Sequence, residues 1–209
     1  MLEELKKASQ SYVTIANQYV QLVDECASLE FIAINSGIAS KQANNDSFLK
    51  LSSEIQIMSS DVTEAAHRGR EQAFLCLDET TKSYGELLTK IRFYRLFSRA
   101  RAQQPAMEGV VNQVAKAINE YDIALLRGNT NKMHRSLNGL IQLVNIGKTM
   151  AIGGKIKAVY ITGSEEKFRI ITETMQESIE RLFNLLESIS VEFGIIKSLL
   201  SNVRPEEVQ

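Results

Sequence analysis

The chain has 209 residues, of which 44% are hydrophobic and 23% charged, with a formal net charge of -1. Enough apolar surface to bury excludes disorder over most of the length, and the balanced charge excludes a global electrostatic pull toward nucleic acid or an anionic membrane. Two prolines, no tryptophan and abundant Ala, Leu, Ile, Glu and Lys predict an all-α protein. Cys26 and Cys76 stand far apart in helical patterns and read as buried, reduced thiols of a cytoplasmic protein, not as a disulfide framework. The charged start MLEELKKASQ has no leader pattern. No run reaches the roughly 20 apolar residues of a membrane span, and the closest, Ile141 to Gly163, carries Lys148, Lys155 and Lys157.

In chain order, the first helical seam steps by four and three through Tyr12, Ala16, Tyr19, Val23 and Cys26. It leads into small residues, Ala33, Ser36, Gly37, Ala39 and Ser40, which allow two helices to approach closely. Ala43-Asn44-Asn45-Asp46-Ser47 interrupts the helix, and Asn44 and Asn45 tolerate the left-handed conformation that a reversal requires. A second helix restarts with Phe48, which plugs the end of a core, and continues through Leu51, Ile55, Met58, Val62 and Ala65. Its phase slips around Gly69 and resumes as Phe74, Leu77, Thr81, Tyr84, Leu88 and Ile91.

Pro105 separates two halves, since proline neither continues an interior helix nor favours helical geometry before it. Residues 1–104 and 105–209 are thus two helical hairpins. A third helix is expected over Ala106 to Arg127, a turn at Gly128-Asn129-Thr130-Asn131, and a fourth helix from Lys132 to near Ile161. Thr162-Gly163-Ser164 forms the next turn, with Ser164 as N-cap. The last helix has the clearest seam: Phe168, Thr172, Met175, Ile179, Leu182, Leu186, Ile189, Phe193, Ile196 and Leu200, stopped by Arg204-Pro205. Leu185 and Leu199 widen the stripe, as in a bundle. The expected architecture is long antiparallel helical hairpins in a coiled-coil-like four-helix bundle.

The halves echo each other. YVQLVDECASLEF (19–31) aligns with LIQLVNIGKTMAI (140–152) at an offset of 121, and SFLKLSSEIQ (47–56) with KFRIITETMQ (167–176) at 120. Two matches at nearly one offset suggest a duplicated hairpin, while amphipathic period alone explains the same similarity.

IAINSGIASKQANN-DSFLKLSSEIQIMSSDVTEA resembles the signalling tip of bacterial chemoreceptors, the methyl-accepting chemotaxis proteins. Ile32-Ala33-Ile34-Asn35 and Ile38 match the end of that family's incoming helix, and Phe48, Ser53-Glu54-Ile55-Gln56 and Met58 its outgoing one. The turn is two residues shorter than the family's, whereas Ile152 to Phe168 keeps the family's spacing. The family's glutamate is Ala39 and Lys157 here, its arginine Gln42 and Tyr160, and its Gly-Glu Asn44-Asn45. The resemblance covers about 50 residues well. It implies a non-catalytic, cytoplasmic signalling or scaffolding protein without cofactors, whose tips carry protein contacts. The contact residues would be Ile34, Asn35, Ile38, Asn44, Asn45, Phe48 and Glu54. The implied partners are a histidine kinase, its coupling protein, or further copies of the chain. No methylation site is convincing: Gln103-Gln104 precedes a proline, and Glu165-Glu166 lacks a small flanking residue.

Two other classes are open. A helical export or secretion chaperone would offer an apolar groove to a partner helix, with LLRGNTNKMHRSL as the turn joining two amphipathic helices. A phosphotransfer protein would use His134, whose neighbours Arg135 and Asn138 resemble those of phospho-acceptor histidines on helical bundles. Its alternative is an ordinary surface histidine. Gly147-Lys148-Thr149 copies the end of a P-loop, but Gln142 stands where the first glycine belongs and no strand precedes it. KIRFYRLFSRAR (90–101), with Arg92, Arg95, Arg99 and Arg101, is a basic patch suited to nucleic acid, acidic lipid or an acidic partner. Balanced net charge and the helical stripe Ile91, Tyr94, Phe97 favour a solvated face over packed aromatics, and no nucleic acid is expected as a partner. His67 has no ligand cluster around it, so no metal is expected.

Overall fold

The computed structural model describes residues 1–161 and 165–203. It is all-α: α1 (Leu2–Gln42), α2 (Asp46–Arg101), a 3-10 turn (Pro105–Met107), α3 (Glu108–Asn119), α4 (Ala124–Ala158) and α5 (Glu165–Asn202). Four long helices form the bundle, and α3 is a short return segment after α2.

The break between α1 and α2 has a specific backbone cause. Asn44 has φ 50°, and the Asn45 amide donates to the Ser40 carbonyl while the Asn44 amide donates to the Lys41 carbonyl. These two bonds close the helix end as a Schellman motif. Asn45 is not left-handed, as expected from its sequence, but an N-cap: its side-chain oxygen accepts from the Phe48 amide at 3.0 Å. At the other end of α2, Pro105 opens the 3-10 turn, where its missing N–H costs nothing.

The seams are more regular than hydrophobicity suggests. In α1 the buried positions include Leu5, Ala8, Tyr12, Ile15, Tyr19, Leu22, Cys26, Leu29, Ala33, Ser36 and Ser40, alternating three and four throughout. Leu22 takes the place expected of Val23, which is half-buried. The α5 seam is the predicted one, all ten residues buried. In α2 the predicted slip does not occur. Phe74 is 49% exposed and Thr81 is exposed, while the seam continues through Val62, Ala66, Gly69, Ala73, Cys76 and Thr80. Small side chains hold the register because large ones fill the space opposite: a Cβ on Gly69 would stand 2.5 Å from the Tyr19 ring.

The expected turn at Gly128–Asn131 is helix. The chain breaks earlier, at residues 120–123, and α4 begins at Ala124, whose amide is bonded by Asp122 Oδ1 at 2.7 Å. Two of these residues bond through their side chains instead. Asn129 donates to both Glu79 carboxylate oxygens, and Thr130 donates to the Leu126 carbonyl. The 106–127 helix is accordingly split into α3 and the first turn of α4. The predicted turn at 162–164 and the stop at Arg204-Pro205 lie outside the described residues.

Both hairpins share one burial register. Leu5, Tyr12, Tyr19, Cys26, Ala33 and Ser40 correspond to Ile123, Thr130, Leu137, Val144, Ala151 and Ala158, an offset of 118. Phe48, Ser52, Ile55, Val62 and Thr80 correspond to Phe168, Thr172, Met175, Leu182 and Leu200, an offset of 120. The Q-L-V match at 121 is therefore three residues out of register, and the step from Ala158 to Phe168 is two residues longer than that from Ser40 to Phe48.

The chain forms two compact units that interleave the hairpins: Met1–Thr14 with Ala73–Lys132 and Glu192–Gln209, and Ile15–Gln72 with Met133–Val191. In the first, Arg127 donates to the carbonyls of Leu200 (2.7 Å) and Val203 (3.3 Å), satisfying acceptors left open at the end of α5. In the second, Arg181 pairs with Glu25 at 2.8 Å and Ser178 donates to the same carboxylate at 2.5 Å. Burial opposes ionisation of Glu25, but these partners together hold its carboxyl below the usual range.

Candidate interaction surface beside the two turns

The end of α1 and the starts of α2 and α5 meet at one end of the second unit. The rings of Phe48 and Phe168 meet there at 4.5 Å, and Lys167 Nζ lies 3.5 Å from Gln42 Oε1. Behind this plug the core is small and polar. Ser52 donates to Ser36 Oγ at 2.7 Å, Ser40 to the Ser36 carbonyl, and Ser59 to the Cys26 carbonyl. Gly147 and Gly154 permit close approach: a Cβ would stand 2.3 Å from Met58 Sδ at the first and 2.7 Å from Leu51 at the second. The buried hydroxyls of Ser40, Ser52 and Ser59 are thus satisfied by protein groups, as a tight polar core requires.

Of the expected contact residues, Ile34, Asn35, Ile38 and Asn44 are exposed, and Asn45 is half-buried. Glu54 is half-buried beside Lys50, 3.9 Å away. Phe48 is fully buried, so it is a core plug and not a surface for a partner. Sequence reading missed the outer face of α4. Ile34 and Ile38 have register equivalents in Ile152 and Ile156, and these are exposed too, Ile38 by 52% and Ile156 by 59%. Phe31 extends the α1 stripe, and Val159 and Tyr160, just past the end of α4, are exposed as well. The signal was available in the offset of 118, but the Q-L-V alignment hid it.

The other candidates are dispersed. His134 is half-buried ten residues into α4 and is no longer next to a turn. The chaperone reading loses the helix-joining turn on which it rested. Gly147 and Lys148 lie inside α4, and Lys148 Nζ sits 3.4 Å from the centroid of the Phe183 ring. Cys26 and Cys76 are free and buried, and burial pushes both thiols up to about 11, far from nucleophilic use at neutral pH. Among the described residues no group of His, Cys, Asp and Glu could hold a metal ion, and no helix is long and apolar enough to cross a membrane. Arg92, Arg95, Arg99 and Arg101 are all exposed, while Ile91, Tyr94 and Phe97 are half-buried.

No family model matches the chain, and neither the curated proteins nor the solved structures yield a match.

Proposed function

We propose that this chain is a non-catalytic cytoplasmic signalling or scaffolding protein that works through protein contacts beside its two turns. The observation that supports this best is the exposed isoleucine pair carried twice at one register: Ile34 and Ile38, Ile152 and Ile156. Apolar faces of this kind mark interaction sites more often than inert surface. The chemoreceptor-like residues around the first turn name the class of partner, a histidine kinase with its coupling protein, or other copies of the chain. The satisfied polar core behind the turns would let helices shift in small discrete steps, so that contact at one face alters the other.

The test is reconstitution of the purified chain with a chemotaxis histidine kinase and coupling protein, reading co-sedimentation and kinase autophosphorylation. The wild type is expected to join the complex and change the kinase rate several-fold. Ile38→Asp with Ile156→Asp should abolish both while leaving the helical circular dichroism unchanged, because both side chains point to solvent. A chain that remains monomeric by sedimentation equilibrium and leaves the kinase untouched overturns the reading.

A further inference from the structure

The last turns of α2 have a surface unlike the rest of that helix. After Leu87 no α2 residue is fully buried, and residues 90–101 hold five cations and no acid. Elsewhere on α2 the surface cations Lys50, Arg68 and Lys82 each pair with an acid one turn away, Glu54, Glu64 and Asp78. No acidic residue lies three or four positions from Arg92, Arg95 or Arg99, so this helix offers them no such partner.

The apolar residues are arranged with them. At about 100° per residue, Arg92, Arg95 and Arg99 share one arc, Leu96 adjoins Arg92, and Phe93 lies just beyond Leu96. Leu96 is 59% and Phe93 48% exposed. Phe93 stacks on Phe97 with ring centroids 5.9 Å apart, which fixes its orientation at the surface. The opposite side of the helix is the one that packs: Tyr121 donates to the Ser83 carbonyl at 3.2 Å, and Lys90 stands over its ring.

Independently of the function proposed above, we infer that the Arg92, Phe93, Arg95, Leu96, Arg99 face of α2 binds the surface of a bilayer containing anionic lipid, with the helix lying parallel to it. Charge complementarity sets the sign of the ligand. The side-chain chemistry favours the bilayer over an acidic protein: exposed Leu96 and Phe93 adjoin three long cations that reach phosphates while their stems cover acyl chains.

The experiment is co-sedimentation of the full chain with phosphatidylcholine vesicles, with and without phosphatidylserine, at low and physiological salt. Binding is expected only with phosphatidylserine, and it should weaken as salt rises. Each of Arg92→Gln, Arg95→Gln and Arg99→Gln should weaken it by about fivefold, and the triple variant should remain in the supernatant. Phe93→Ser with Leu96→Ser should also weaken it at unchanged charge. All five positions are surface, so an unchanged thermal melt serves as the folding control. No sedimentation with phosphatidylserine at low salt overturns the inference, as does a triple variant that binds like wild type. Wild-type affinity in the Phe93→Ser, Leu96→Ser variant also overturns it, since a surface that needs only charge is one for an acidic protein.

Discussion

Two tyrosines of α1, one heptad apart in the same seam, are equally buried and differently satisfied. Tyr12 Oη and Thr130 Oγ1 lie 2.5 Å apart, and since Thr130 donates its proton to the Leu126 carbonyl, Tyr12 is the donor to Thr130. The Tyr19 hydroxyl is buried with no hydrogen-bond partner among the described residues. Burial raises both phenols above their usual range, so neither ionises near neutral pH. A buried hydroxyl without a partner costs roughly 1–3 kcal/mol, whereas a satisfied one contributes about 1 kcal/mol. Tyr19→Phe should therefore stabilise the protein and Tyr12→Phe destabilise it, each by about 1 kcal/mol. Urea unfolding checks both, and a loss of stability in Tyr19→Phe would contradict this account of the Tyr19 site. The burial of both rings was legible from their spacing. Which hydroxyl finds a partner was not, because Thr130 is 118 residues from Tyr12 in the chain.

At the scale of the helix, glycines test whether small seam residues are there for packing. Glycine costs a helix about 1 kcal/mol against alanine, so an unconstrained helical glycine gains from replacement. A Cβ on Gly85 or Gly139 would meet nothing within 4 Å, and Gly85→Ala and Gly139→Ala should each stabilise by about that amount. Gly69→Ala should do the opposite, because its Cβ would enter the Tyr19 ring, an overpacking cost of roughly 1–3 kcal/mol. In a Tyr19→Leu background the sign at residue 69 should reverse. Thermal melts of the four variants decide it, and Gly69→Ala melting above wild type would mean that α2 is not held in this register. The apparent slip around Gly69 arose from counting apolarity: Phe74 and Leu77 look like seam residues, but Ala66, Gly69 and Ala73 occupy the seam. Core positions in α2 are chosen for volume, and volume is judged only against the helix opposite.

At the scale of the molecule, the two hairpins repeat one burial pattern with volumes redistributed between them. Within the second unit, Ala66 of α2 and Leu186 of α5 occupy equivalent buried positions, eighteen residues beyond the touching Phe48 and Phe168. Both helices run away from their turns in the same direction, so these two residues belong to one layer. Leu186→Ala should cost roughly 2–5 kcal/mol by leaving a cavity, and Ala66→Leu roughly 1–3 kcal/mol by overfilling. The double variant should lose clearly less than the sum, since it moves the same volume across one layer. Additive losses in denaturant unfolding would show that the two positions do not share a layer.

The sequence by itself determined the helical class, the absence of a disulfide framework, the reversal at Asn44, the plug at Phe48 and the whole α5 seam. These are local or single-helix properties: propensity, backbone strain and a strong heptad period act within a few turns. Only the tertiary structure decided that Gly128–Asn131 stays helical, that the α2 register is unbroken, and that the α4 isoleucines face outward at the register of those on α1. Each of these depends on a partner far along the chain. Glu79 takes up Asn129, Tyr19 fills the space above Gly69, and Leu51 and Thr172 crowd Gly154. A residue's own preference is weak by comparison with what the facing helix places against it.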